Sequence, residues 1–524
     1  METDKQTEWD ESLLRMARPD IYRINAFRVL GLPVNASPKE VSSRMRSLDL
    51  MERYGDGEQG SGSFLPLDAD NGTDARRQAQ QRLLDPELRF IDELFWIWPL
   101  SRDFSAENDS ALAAIGHNDP SQALSIWERH EAQGSEANVS THNLAVIYHA
   151  MALDIERLET EGKVVSEQQL QHKRSYWQQA FSRWKILLSA EGFWQRVQER
   201  VRELDDPRLT NATADRMREG LPKALLLINA VLAVESAETG DHKDLAFHLK
   251  VIRQSGFDNR VAQEAIQRAI SPIRDRIKAM CLHSIEEISD SPERGNELAS
   301  DLIRNTSPLV KTLDRFLAKG NSTRESTHDE VALQVRSCLI TFVNHTDEWR
   351  EASRIAKQSL SIAESPFVQQ RIQDDIETMG MNAEYASCWF CGGDYAAADC
   401  AVTVMMHGNV ERDSGFLQTQ VRWQYLPITV PRCAACKSAH KQNKAFKIAG
   451  TVVAFPLAIL IGTASNNFWA GVVGLGIVIA VAHGLAAMTF PKGVKAESHK
   501  TEFRIVVDML AKGWKIGERP SDVS

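Results

Sequence analysis

At 524 residues the chain is too long for one hydrophobic core and predicts three to four domains, at about 150 residues each. Its 71 Asp and Glu against 61 Lys and Arg, a net charge of -10, argue against a general nucleic-acid binder, which needs a basic face to displace counterions from phosphates. Seven cysteines are too few and too unevenly placed for a disulfide scaffold. Four of them form two C-x-x-C pairs, the spacing of a metal site in a reducing compartment. The opening METDKQTEWDESLL is acidic and polar, so no cleaved signal peptide is expected there.

The first region, residues 1–104, predicts a small helical domain. Phe27, Val29, Leu30 and Leu32 form a short apolar run with Gly31 as its stop, and Ser37-Pro38-Lys39-Glu40 is a helix start with Ser at N-cap, Pro at N1 and Glu at N3. Val41, Met45, Leu48 and Met51 then recur at helical spacing, with Arg44, Arg46 and Arg53 on other faces. After a glycine-rich loop come Ala79, Leu83, Leu84, Asp85-Pro86-Glu87, Arg89 and Asp92. Over about 75 residues this pattern resembles the J-domain family of DnaJ-type co-chaperones, whose first two helices match FRVLGL and SPKEVSSRMRSL. The family's His-Pro-Asp loop should fall near Arg53-Tyr54-Gly55, yet no histidine precedes His117. The resemblance therefore implies a docking fold, with Arg44, Arg46 and Arg53 as candidate partner contacts, and leaves open whether a DnaK-type chaperone is the partner. A small helical domain with no J-type role is the plainer alternative.

Residues 105–384 are almost wholly helical by periodicity, with polar breaks expected at Asp119-Pro120, Asp206-Pro207, Ser271-Pro272 and Ser365-Pro366. Gly116, Ala123, Trp127, Leu144, Ala145 and Tyr148 sit as in a tetratricopeptide-type helix pair, and Trp349, Ala352, Ala356 and Ala363 mark a second. Two degenerate units do not make an array, so an irregular helical-repeat-like domain is expected, binding proteins or serving as a spacer. Trp177, Trp184 and Trp194 read as core.

Cys388-Trp-Phe-Cys391 and Cys433-Ala-Ala-Cys436 bracket 41 residues, within which Val421, Trp423 and Tyr425 alternate with Arg422 and Gln424 as in a half-buried strand. Two hairpin-like knuckles joined by strands describe a zinc ribbon over residues 385–440. Four thiolates fill the coordination of Zn2+ and leave no position for water, so the ion is expected to be structural. Cys400, His407 and His440 are alternative ligands, each read as a bystander, and Cys281 and Cys338 as small core residues.

Ile448 to Ala464 and Phe468 to Phe490 are uncharged apolar runs of 17 and 23 residues, close to the ~20 that cross a bilayer. Together they predict a transmembrane hairpin over 445–491. Lysines on both flanks place both ends on the cytoplasmic side. Gly450, Ala454, Ala458 and Gly462 on the first helix, and Gly476, Ala480 and Gly484 on the second, form small-residue stripes suited to close helix packing or to homo-oligomers. His483 lies inside the second run, and a neutral histidine bonded across the hairpin is its expected state. Residues 492–524 predict a cytosolic amphipathic tail, against the membrane or folded back on the ribbon.

The expected fold class is thus mainly α, with a small β ribbon and a two-helix hairpin. No phosphate-cradling loop, nucleophile–base pair or set-apart carboxylate pair is present, so an enzyme is not expected. Three modules of binding type predict a multi-pass membrane-anchored cytosolic adaptor for protein partners. The alternatives are a membrane effector that oligomerises through its hairpins and, more weakly, a non-standard co-chaperone.

Overall fold

The computed structural model describes residues 11–54, 72–101, 109–117, 119–134, 138–393, 395–414, 419–464 and 468–520. The protein is mainly helical with one three-stranded sheet. It divides into two compact units: residues 1–276 with 308–318, and residues 277–307 with 319–524.

After a helical stretch over residues 11–16, the first unit carries α1 (Ala26–Leu30), α2 (Pro38–Tyr54), α3 (Thr73–Leu84) and α4 (Pro86–Leu94). Asn25 caps α1 by accepting from the Phe27 and Arg28 amides, and Gly31 ends it at φ 61°, a left-handed turn that favours glycine. The predicted start of α2 forms a capping box: the Glu40 amide donates to Ser37 Oγ at 3.3 Å while the Glu40 carboxylate accepts from the Ser37 amide at 2.6 Å. Val41 and Met45 turn inward, whereas Met51 is exposed. Asp85 caps α4, with Pro86 at N1.

Helices α5 (Ser110–Gly116), α6 (Pro120–Ala132), α7 (Asn138–Thr160), α8 (Glu167–Ser189), α9 (Glu191–Glu203), α10 (Asn211–Thr239), α11 (His242–Gln254) and α12 (Asn259–Asp290) follow. Asp119-Pro120 is a helix boundary, with Asp119 capping α6 and Pro120 as its first residue, and Asp206-Pro207 lies between α9 and α10. Ser271-Pro272 does not break the chain: α12 runs through it, as α10 runs through Pro222. Buried Ile270 and Ile273 on either side of Pro272 hold the backbone helical despite the lost amide donor. Trp177, Trp184 and Trp194 are buried at 1%, 0% and 3% exposure, which makes them core.

Two histidines on α7 share that core. His149 Nδ1 meets the Tyr22 hydroxyl at 2.9 Å, and His142 Nε2 meets the Leu94 carbonyl at 2.7 Å. Around them stand the rings of Phe193, Trp98, Trp184 and Trp177. Burial pushes His149 down to about 3 and His142 to about 4. Both bases bind fewer protons folded than unfolded, so their contribution is complete above pH ~6.5 and is lost as pH falls toward those values. From pH 7 to pH 5 each is expected to cost about 2 kcal/mol. Urea unfolding should show the drop, and His149→Gln should shrink it by about half.

The second unit carries α13 (Gly295–Phe316) in part, then α14 (Ser322–Thr346), α15 (Trp349–Ile362) and α16 (Pro366–Ala386). Next come β1 (Val402–Ser414), β2 (Thr419–Val430), α17 (Ala434–Ala464), α18 (Phe468–Thr489), α19 (Arg504–Ala511) and β3 (Lys515–Ile516). The sheet order is β2-β1-β3, antiparallel throughout. Its inner face supplies Val402, Val404, Met406, Ile428 and Val430, against which Phe390, Phe503 and Val506 pack.

Candidate metal centre and membrane hairpin

One knuckle is a turn at the end of α16. Gly392 N donates to the Cys388 carbonyl at 2.8 Å, and Trp389 N reaches across to the Pro431 carbonyl at 3.0 Å, tying the knuckle to the end of β2. The other departs from the expected hairpin. Cys436 lies in the first turn of α17, a helix of 31 residues that runs into the first apolar segment. Cys436 N donates to Cys433 Sγ at 3.4 Å. From Ala434 to Ile448 the chain contains no Gly or Pro, so nothing interrupts the helix between the ribbon and the hairpin. The boundary expected between 440 and 445 is therefore absent.

The four sulfurs of Cys388, Cys391, Cys433 and Cys436 lie within 4.8 Å of one another, with Cys391 and Cys433 at 4.0 Å. Tetrahedral thiolate ligation at ~2.3 Å from an ion needs edges of about 3.8 Å, so a small contraction closes the set. Burial first, and then neighbouring sulfurs, push the Cys433 and Cys436 thiols up. A dication at the centre of the four reverses that conflict. The cluster can thus hold a metal.

The alternative ligands are engaged elsewhere. His440 Nε2 meets the Lys495 carbonyl at 2.9 Å and its Nδ1 faces Arg432 at 3.3 Å, His407 Nδ1 meets the Gly517 carbonyl at 3.0 Å, and Cys400 Sγ faces Asp399 at 3.6 Å. Cys281 and Cys338 are buried, and burial pushes Cys281 up to about 12. A second acidic group, Glu156, Glu159 and Asp244, already surrounds a cation: the Lys173 ammonium donates to all three.

The segment after the hairpin folds back on the ribbon, the second of the two placements open to it. Lys495 N donates to the Phe390 carbonyl at 2.8 Å, Trp389 Nε1 to the His499 carbonyl at 3.1 Å, and Trp423 Nε1 to the Glu518 carbonyl at 3.0 Å. His440, on α17, stands edge-on to Phe390 at 4.6 Å and stacks on Phe490 at 5.7 Å. Chain entering and chain leaving the hairpin are thus bound to the same knuckle. Trp514 covers Gly408 of β1, where a Cβ would stand 2.6 Å from the indole. That mid-strand glycine was the available signal of a close approach. Gly408→Val should displace the indole and cost about 1–3 kcal/mol, read as faster tryptic cleavage at Lys512 and Lys515.

Among the described residues three helices are long and apolar enough to cross a membrane: α10, and the stretches Ala434–Ile461 and Phe468–Leu485. The first was not apparent from the runs of uncharged residues. Two-thirds of its apolar window is buried, and its Asn229 bonds His248 at 3.2 Å, as in a core helix. The other two are 11% and 6% buried. Phe455, Leu460, Val473, Ile477 and Val481 are each more than half exposed, surface that calls for an apolar solvent. Ala454 of the first small-residue stripe is fully buried, with Gly450 and Ala458 half-buried, while nothing is described of Gly462 beyond the backbone. On α18 it is Gly471 and Gly474 that turn inward, a Cβ on Gly474 meeting Ile461 at 2.8 Å. Gly476, Ala480, His483 and Gly484 are exposed, since Gly476 lies about 200° around the helix from Gly474. The predicted stripe on α18 therefore faces away from α17, and among the described residues no hydrogen bond joins His483 to α17. Residues 465–467, expected as the turn, lie outside the described residues.

Of the candidate docking arginines, Arg44 is half-buried and donates to the Leu30 carbonyl at 2.9 Å, closing the end of α1. Arg46 is exposed, and the Arg53 side chain lies outside the described residues. No family model, no curated protein and no solved structure matches the chain.

Proposed function

We propose that the protein is a membrane-anchored adaptor that gathers protein partners on its helical part and fastens them to the bilayer through a zinc-knit ribbon. One observation carries this reading: Cys436, a candidate ligand, sits in the first turn of the same continuous helix that becomes the first apolar span. Such a joint transmits position rigidly from bilayer to ribbon. Cys388, Cys391, Cys433 and Cys436 hold a structural zinc, whose chemistry is to fix the two knuckles with no open coordination position. Only α17 and α18 span, both flanks facing the cytoplasm as their lysines favour, and residues 1–104 act as a J-like docking module without the His-Pro-Asp trigger. Crosslinking in cells followed by mass spectrometry, comparing full-length protein with a chain lacking residues 1–104, tests the adaptor role. Partners should be lost with the deletion; an unchanged partner set would overturn it.

A second reading, a membrane effector assembled through its hairpins, draws on the outward Gly476, Ala480 and Gly484 stripe of α18. Vesicle leakage by full-length protein, abolished by Gly476→Leu, would favour it. A monomeric, inert hairpin would remove it.

A further inference from the structure

The hairpin is bordered by a ring of positive charge. From Ala434 to Ala496 the chain carries Lys437, Lys441, Lys444, Lys447, Lys492 and Lys495 and no Asp or Glu. On α17, Lys437, Lys441 and Lys444 follow i, i+4, i+7 and share one exposed face. Ala439 and His440 of the same helix are buried, His440 against Phe390 of the ribbon. Only Lys437 has a carboxylate nearby, Asp399 at 3.7 Å. Among the described residues none stands within ion-pair distance of the other five. Lys495 lies over the Trp389 ring at 3.4 Å. It lines a cleft of about 330 Å³ with Arg350, Glu384, Gly392 and Gly493, and there Arg350 donates to Ser387 Oγ and the Gly392 carbonyl.

Depth decides what the ring meets. At 1.5 Å per helical residue, Lys444 and Lys447 lie within about 6 Å of Ile448, where the apolar run begins, and Lys441 about 10 Å away. The headgroup layer is on the order of 5–8 Å thick on each side, and the field of surface charge extends about 8 Å further. Lys492 and Lys495 follow Phe490 by two and five residues. Five cations thus stand at headgroup depth or within its field, none with a carboxylate of the described residues at ion-pair distance. Trp389, half-buried beneath Lys495, is of the residue type that settles at such interfaces.

We infer that this collar, formed by Lys441, Lys444, Lys447, Lys492 and Lys495, binds the anionic headgroups of phospholipids in the leaflet it faces, with one phosphate received in the cleft between Lys495 and Arg350. The inference rests on the hairpin being embedded in the bilayer. Each lysine near a negative surface strengthens attachment by roughly fivefold, so a preference of tenfold or more for anionic over neutral lipid is expected.

The test is native mass spectrometry of the full-length protein from mixed micelles of phosphatidylglycerol and phosphatidylcholine, with zinc content as the check on folding. Retained phosphatidylglycerol should exceed phosphatidylcholine at least tenfold, fall as salt rises, and drop toward parity in the Lys441→Gln, Lys444→Gln, Lys447→Gln, Lys495→Gln variant. Equal retention of both lipids by the unmodified protein would overturn the inference. So would displacement of the lipid by millimolar inorganic phosphate, which would mark a site for free phosphate. A protein that enters neither micelles nor vesicles would instead remove the embedded hairpin itself.

Discussion

Stripping the metal from the full-length protein, or replacing Cys436 by Ser, is expected to unfold the ribbon and release residues 491–518 from it. The ribbon's core has eleven buried residues, three of them cysteines of the cluster. A core of eight other buried side chains does not sustain a domain of this size unaided. Structural zinc contributes on the order of 10 kcal/mol to small domains that depend on it. Knuckles, sheet and returning segment are bonded to one another, as when Phe390 accepts from Lys495 and Pro431 from Trp389, so they should fail together. Elemental analysis should find one zinc per chain, lost in Cys436→Ser and kept in Cys400→Ser. Limited trypsin should cut the unsubstituted chain at Lys512 and Lys515 far faster after metal loss than before it. A metal-free protein with an intact, protease-resistant ribbon would contradict this.

Glu93→Ala should produce the largest loss of stability in the first unit. Glu93 is fully buried between two guanidinium groups: Arg89 Nε donates to it at 2.9 Å, and Arg200 Nε and Nη2 at 2.8 and 3.0 Å. Other donors of the two arginines reach the carbonyls of Val34 and Ala36, and Arg200 Nη1 reaches the Glu203 carboxylate at 3.1 Å. These bonds join α4 and α9 to the loop before α2. Removing the carboxylate takes the carboxylate partner from buried Arg89 and leaves Arg200 with Glu203 alone, which costs about 3–5 kcal/mol. In a unit of this size that lowers the melting temperature by roughly 10 °C. Replacing all three by apolar residues should recover much of the loss. A shift under about 1 kcal/mol in Glu93→Ala would show the cluster relaxes freely.

The features legible in the sequence are those with short-range causes. The capping box at Ser37, the strands around Trp423, the inward tryptophans and the gathering of four cysteines all follow from spacing of a few residues or from known donor chemistry. What escaped depends on contacts distant in sequence. Nothing near Pro272 announces that buried isoleucines carry a helix through it. Asn229 and its partner His248 disguise α10, an apolar helix whose environment is protein. The return of Trp514 onto Gly408, 106 positions earlier by their numbers, is visible only once the ribbon is folded. On α18 both Gly471/Gly474 and Gly476/Ala480/Gly484 offer small faces, and periodicity alone does not choose which meets α17.

Anchoring is the claim on which the rest depends, and an alkaline wash of membranes from cells making the full-length protein tests it most directly. The protein should stay in the membrane pellet, while a chain with residues 448–490 replaced by a short Gly-Ser linker should appear in the supernatant with its zinc. Release of the full-length protein by the wash would contradict the account.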